Sequence, residues 1–268
     1  MTINVRVSLA APEDMTFFKK YLITSSVFLL SAVRSLELIQ VEDLYDQSPV
    51  ILVHGGAGAT PEDLFEAKFS GMKEAVRAGH RVLMESANVL DAVEAAIHVM
   101  EDDPAFNAGR GSKLNIFGHV EMDASIMDGA GLEAGAVASI TGVRHPVSLA
   151  RAVMENTSHV LVVGSGADRL ASKFGVERVE EDWLVTQGAR DLLEEFLKQH
   201  NLTEVSQEKV WRSEAIGRAW GHGTVGAVAF YQGHVAAATS TGGITGKLPG
   251  RVGDSPLLGH GVFADNMR

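Results

Sequence analysis

Residues 220–256 read WGHGTVGAVAFYQGHVAAATSTGGITGKLPGRVGDSP. Residues 225–230 and 235–239 are runs of small and β-branched residues. Between them, Tyr231-Gln232-Gly233-His234 offers a hairpin turn, so two antiparallel strands are expected. Thr224 then sits on the leading edge of the first strand, directly after Gly223, where a polar stretch ends. A bond in that position can be cut. Breaking it would give Thr224 a free α-amine with an unperturbed pKa of about 7.7–8.0, near enough to neutrality to take the hydroxyl proton. One residue would then supply nucleophile and base, the threonine form of nucleophilic activation. Glycine at 223 suits this, because without a Cβ it tolerates the backbone strain that brings a hydroxyl onto its own preceding carbonyl.

A Gly–Thr junction alone is commonplace at strand starts. The rest of the stretch gives it weight: Thr239, Ser240 and Thr241 end the second strand, and Arg251 and Asp254 follow on a glycine-bounded turn. Hydroxyls at a strand end can hydrogen-bond a reacting threonine, and an arginine with an aspartate can hold the carboxylate and ammonium of an amino-acid zwitterion. The plainer alternative is that Arg251 and Asp254 pair with each other across the turn, for about 0–1 kcal/mol.

Outward from this stretch, composition narrows the function. The 268 residues are 46% hydrophobic with a formal charge of -11, enough for a real core and without the basic runs that track a phosphate backbone. Nucleic acid is not an expected partner. With no cysteine in the chain, thiolate metal sites, disulfides and cysteine nucleophiles are excluded. Histidines 54, 119, 145, 159, 222 and 234 lack metal-ligand spacing and read as ordinary surface or core residues.

Residues 1–48 read as a leader. The apolar run YLITSSVFLLSAV at 21–33 follows Lys19 and Lys20 and is too short for a spanning helix. Counted from Met15, it has the order of a signal peptide, although Arg34 disturbs the cleavage region; an amphipathic helix is the alternative. A periplasmic or secreted location is expected in the first case and a cytoplasmic one in the second.

Residues 49–268 read as one domain. A β-branched run at 49–53 enters the glycine-rich HGGAGA at 54–59. Helices are expected at 61–84, with Leu64, Phe65, Phe69, Met72 and Val76 on one face, and at 89–100, with Val89, Leu90, Val93, Ile97 and Met100. Strands around 119–127 and 134–141 follow, then a helix at 147–155, a buried run HVLVVG at 159–164, and helices at 167–174 and 191–199. Residues 200–223 have weak periodicity and read as an exposed connector.

Five strings now stand in order: HGGAGA at 54–59, EDDPAFNAGRGS at 101–112, VEMDASIMDG at 120–129, GTVGAVA at 223–229, and ATSTGG followed by GRVGDSP. Together they resemble the plant-type asparaginase and isoaspartyl peptidase family. The resemblance implies an α+β fold, the four-layer αββα sandwich of N-terminal nucleophile hydrolases. It also implies self-cleavage before Thr224 into α (49–223) and β (from 224) parts, and assembly as a dimer of such pairs. Thr241 would assist the nucleophile, Arg251 and Asp254 would hold the substrate's α-carboxylate and α-amine, and Asn107 would lie beside Thr224. The implied substrates are β-aspartyl dipeptides and L-asparagine, with no organic cofactor. The loop at 100–110 resembles a sodium-binding loop that uses the backbone carbonyls of Met100, Glu101, Asp103, Phe106, Ala108 and Arg110; the side chains of Glu101, Asp102 and Asp103 read as a solvated helix end.

The sequence departs from the family pattern at its end. The family's Thr-Gly oxyanion pair falls a little over twenty residues beyond Arg251's position, past residue 268, so the fold is expected to be incomplete at the C-terminus and the chain to have little activity alone. A catalytically dead fragment is the second reading. A glycosylasparaginase-like hydrolase is the third, disfavoured by GTVGAVA. Nucleotide binding through HGGAGA is weak, since no Lys-Ser/Thr follows the glycines.

Overall fold

A computed structural model describes residues 48–57, 62–202, 210–211 and 223–267. The leader, Gly58 and Ala59 of the glycine-rich string, His222 and most of the connector lie outside the described residues.

Six strands form one sheet in the order β1-β5-β6-β2-β3-β4. They are β1 (Val50–His54), β2 (Met122–Asp128), β3 (Glu133–Ile140), β4 (Leu161–Val163), β5 (Val225–Tyr231) and β6 (His234–Thr241). All neighbours are antiparallel except β3 with β4. The β5–β6 hairpin turns on Gln232 and Gly233, at φ 50° and 80°. Positive φ at both central residues matches the right-handed twist of the flanking strands.

Helices α1 (Glu62–Ser86), α2 (Val89–Asp102), α3 (Pro146–Asn156) and α4 (Gly164–Phe174) cover one face of this sheet. The amphipathic spacing of α2 buries Val89, Val93, Ile97 and Met100, and Asn88 caps its first turn through bonds from the Leu90 and Asp91 N–H groups. Helix α3 lies so close to β3 that a methyl group on Gly135 would come within 2.1 Å of the Ala150 carbonyl oxygen. Only glycine fits there. Two further helices, α5 (Glu181–Leu184) and α6 (Gln187–Gln199), close the end of the layer. The first turn of α1 is more open than its spacing suggests, with Leu64 and Phe65 exposed.

Side chains alternate across the pleat, so the register determines what the helix-free face presents. Asp123 is paired with Thr241, Ser125 with Thr239, and Thr239 also with Gly226. Carboxyl and hydroxyl groups are thereby gathered on one patch, beside apolar neighbours Met127 and Ala237 that pack on Val262 and Ala264.

Two expectations are corrected. The run at 159–164 is not buried: Val160, Leu161 and Val163 are exposed, because β4 is a three-residue edge strand that pairs on one side only. The connector is not wholly exposed, since Leu202 and Val210 belong to the core.

Candidate active site

The site forms where β5 begins. Thr224 immediately precedes that strand, with β1 on one side and β6 on the other. The carbonyl oxygen of Gly223, on the bond proposed for cleavage, accepts two hydrogen bonds: from Thr241 Oγ1 at 2.9 Å and from Asn107 Nδ2 at 2.8 Å. Both donors are fixed from behind. Thr241 Oγ1 accepts from the Gly243 N–H at 3.0 Å, which turns its own proton toward Gly223. Asn107 also donates to the Gly243 carbonyl at 2.7 Å and accepts from the Lys113 N–H at 2.8 Å, so its amide cannot flip without losing these bonds.

Such a clamp draws electron density from the Gly223 carbonyl carbon and would stabilise charge on the oxygen if a nucleophile attacked. The nearest nucleophile in the chain is the neighbouring residue. Thr224 Oγ1 is 3.1 Å from Ser255 Oγ. Ser255, buried at 2% exposure, is positioned through its own carbonyl, which accepts from Ser125 Oγ at 2.6 Å and Thr239 Oγ1 at 2.8 Å. Those two hydroxyls are also 2.8 Å apart.

Arg251 and Asp254 sit on the loop after β6. The Arg251 guanidinium lies over Gly243 and Gly253, next to the Thr241 turn. Among the described residues no ion pair joins Arg251 to Asp254, which removes the plainer reading of that pair. Asp254 is exposed and is followed directly by Ser255. Beneath the loop, buried Asp123 accepts from Gly253 N–H at 3.4 Å and from Ser139 N–H at 2.9 Å. Burial raises the Asp123 pKa, while the Ser139 N–H, Lys247, the Gly253 N–H and Arg251 oppose the rise. Lys247, also buried, donates to the Glu121 carbonyl at 2.5 Å.

Sequence reasoning missed Ser255, Asp123 and Lys247 as parts of the site. Asp123 and Ser255 lie inside strings that had been singled out, and a period-two reading of β2 would have placed Asp123 and Ser125 on one face. His54 is also more than an ordinary core residue: it ends β1 opposite Gly226 and hydrogen-bonds the Thr224 backbone. Burial lowers its pKa, the Thr224 contact opposes that, and the charge on Lys68 adds to it.

The loop after α2 curls on itself through Arg110 N–H to the Glu101 carbonyl, 2.7 Å, and Phe106 N–H to the Asp103 carbonyl, 3.1 Å. Gly109 and Gly111, at φ 49° and 99°, lie directly against the carbonyl oxygens of Glu101, Pro104 and Phe106. Carbonyl oxygens crowded on a glycine-lined loop fit a hard cation. The side chains differ from the expected solvated helix end. Glu101 is fully buried beneath the start of α3, where it accepts from Val147 N–H at 3.1 Å, and burial pushes its carboxyl up to about 8. Asp102 pairs with Arg144 at 3.0 Å, and Asp103 caps Ala105 N–H at 2.9 Å.

Comparison with known proteins places this geometry. The family model described as asparaginase matches residues 47–268. The chain is 45% identical over 233 residues to the probable isoaspartyl peptidase/L-asparaginase of Drosophila pseudoobscura pseudoobscura, covering 82% of this chain and 70% of that protein. It is 44% identical over 220 residues to the isoaspartyl peptidase/L-asparaginase of Danio rerio, covering 81% and 67%. The Homo sapiens protein of the same name matches at 45% over 221 residues, covering 82% and 68%.

Proposed function

This chain belongs to the asparaginase family, and from that premise we propose that it cleaves itself before Thr224 and then hydrolyses β-aspartyl dipeptides and L-asparagine. The observation that carries the reading is the two-donor clamp on the Gly223 carbonyl, one residue from a threonine hydroxyl.

In the first reaction Thr224 Oγ1 attacks the Gly223 carbonyl carbon. The new C–O bond forms, the C–N bond to Thr224 breaks, and the hydroxyl proton passes to the departing nitrogen. Water then hydrolyses the ester, leaving a carboxylate on Gly223 and freeing both the hydroxyl and the α-amine of Thr224. In the second reaction that amine takes the Oγ1 proton while Oγ1 attacks the side-chain carbonyl of a β-aspartyl group. The amine or ammonia leaves with a proton, and water releases aspartate from the acyl-enzyme. Thr241 donates to the reacting oxygens, and Asn107 supports the same position. Arg251 and Asp254 hold the α-carboxylate and α-ammonium of the aspartyl unit; their lack of a mutual ion pair leaves both available for it.

Sodium held by the carbonyls of Met100, Glu101, Asp103, Phe106, Ala108 and Arg110 would cross-link the loop that carries Asn107. The protein's own residues perform the chemistry, and a dimer of cleaved pairs is the assembly this reading carries. Intact-mass measurement after incubation tests the first step: two fragments divided between Gly223 and Thr224 are expected, and a single uncut mass overturns it. A panel of β-aspartyl dipeptides, L-asparagine and glycosylated asparagine tests the second; preference for the glycosylated substrate would reassign the chain to that branch of chemistry.

A further inference from the structure

Two ammonium groups flank the cleavage point, and the mechanism above uses neither. Lys68, on α1, reaches back to the glycine turn after β1: a methyl group on Gly56 would lie 3.5 Å from Lys68 Nζ and 3.9 Å from Gly223 Cα. Lys113 follows the clamp loop, with its backbone N–H fixed on Asn107 Oδ1. Its pKa is lowered by burial first and then by the charge of Lys68, so the two cations lie within electrostatic reach of each other. The same Lys68 charge bears on His54. Among the described residues no carboxylate forms an ion pair with either lysine.

Like charges held together in partly buried positions cost free energy unless an anion joins them. The site also has more cations than one zwitterion requires. L-Asparagine carries one carboxylate and one ammonium, which Arg251 and Asp254 satisfy. A β-aspartyl dipeptide carries a second carboxylate, on the residue that leaves. Arg251 lies on the β6–β2 side of Gly223, near Gly243 and Asp123, whereas Lys68 lies on the β1 side, near Gly56. Two carboxylates of one extended dipeptide can therefore be met from opposite flanks.

We infer that Lys68 and Lys113 receive the C-terminal carboxylate of the leaving residue, which makes a β-aspartyl dipeptide with a free carboxylate the preferred substrate over L-asparagine. This rests on the hydrolase reading above. The lysines bind and orient; they take no part in bond making.

The test measures kcat/KM for a β-aspartyl dipeptide, for the same dipeptide with an amidated C-terminus, and for L-asparagine. It uses the native chain and K68Q/K113Q, with intact masses and melting curves establishing equal cleavage and folding. The native chain should favour the free dipeptide over its amide by about tenfold or more, as expected for a charged hydrogen bond, and the double variant should lose that preference while keeping its rate on L-asparagine. Equal rates on free and amidated dipeptide in the native chain overturn the inference, and so does an equal loss on all three substrates. The native comparison alters only the substrate, so it decides the matter even if the variant fails to fold. A native chain that hydrolyses none of the three overturns the hydrolase reading instead. The lysines are then followed by NMR of labelled Cε atoms: a rise in their pKa with the dipeptide but not its amide sustains the site, and no rise overturns it.

Discussion

Replacing Thr241 with valine isolates one half of the clamp. The two side chains have nearly the same shape, but valine cannot donate to the Gly223 carbonyl or accept from the Gly243 N–H. Asn107 Nδ2 still holds Gly223 at 2.8 Å, so one donor of two is lost. Removal of a single donor to a developing oxyanion slows reaction about 100- to 1,000-fold, or about 2.7–4 kcal/mol in the barrier. The same change leaves the buried Gly243 N–H without its acceptor, which costs about 1–3 kcal/mol of stability. That is within reach of a domain stabilised by about 5–15 kcal/mol, so T241V should fold and cut itself slowly. The time course of cleavage by intact mass, with T241S as the hydroxyl-restoring partner, reads this directly. If T241V is folded and cleaves within about threefold of the native rate, the clamp does not polarise the Gly223 carbonyl as argued.

Ser255→Ala removes the hydroxyl 3.1 Å from Thr224 Oγ1, and kcat should fall about twofold to tenfold with KM unchanged; a change in KM alone would refute a role at the nucleophile. Gly135→Ala sets a methyl group against the Ala150 carbonyl and should cost about 1–3 kcal/mol by overpacking, read as a lowered denaturation midpoint; an unchanged midpoint would show that α3 shifts freely on the sheet. Glu101 predicts a pH dependence. Its folded pKa, about 8, lies above the ordinary 4.5, so between these values the folded chain keeps a proton that the unfolded chain has released. Stability should therefore fall as pH rises through that window, by up to about 1.4 kcal/mol per pH unit. In E101Q the decline should be shallower between about pH 5 and about pH 8, and parallel denaturation curves for the two proteins would refute it.

Much of this was legible in the amino acids, for local reasons. Helix α2 announces itself through Val89, Val93, Ile97 and Met100 at one spacing, and the β5–β6 hairpin through a glycine that accepts positive φ. Thr224, Thr241 and Asn107 were legible because each lies in a distinctive string. What failed needed long-range geometry. HVLVVG looks buried because its composition is apolar, yet burial depends on how many neighbours a strand has, and β4 is at an edge. Glu101 looks like the end of a solvated helix because sequence cannot show α3 folding over it. Lys68 and Lys113 are 45 positions apart by number and carry no shared pattern; only the close approach of Gly56 to Gly223 brings them to one site.

The clamp also governs what happens just after the cut. Severing the chain does not remove Gly223; it converts the held carbonyl into a carboxylate that still faces the Thr241 hydroxyl and the Asn107 amide. The newly made enzyme is therefore born occupied, its tail serving as its first inhibitor. The onset of turnover is then a dissociation event, timed by how readily residues before 223 withdraw, and separate from the speed of the scission itself.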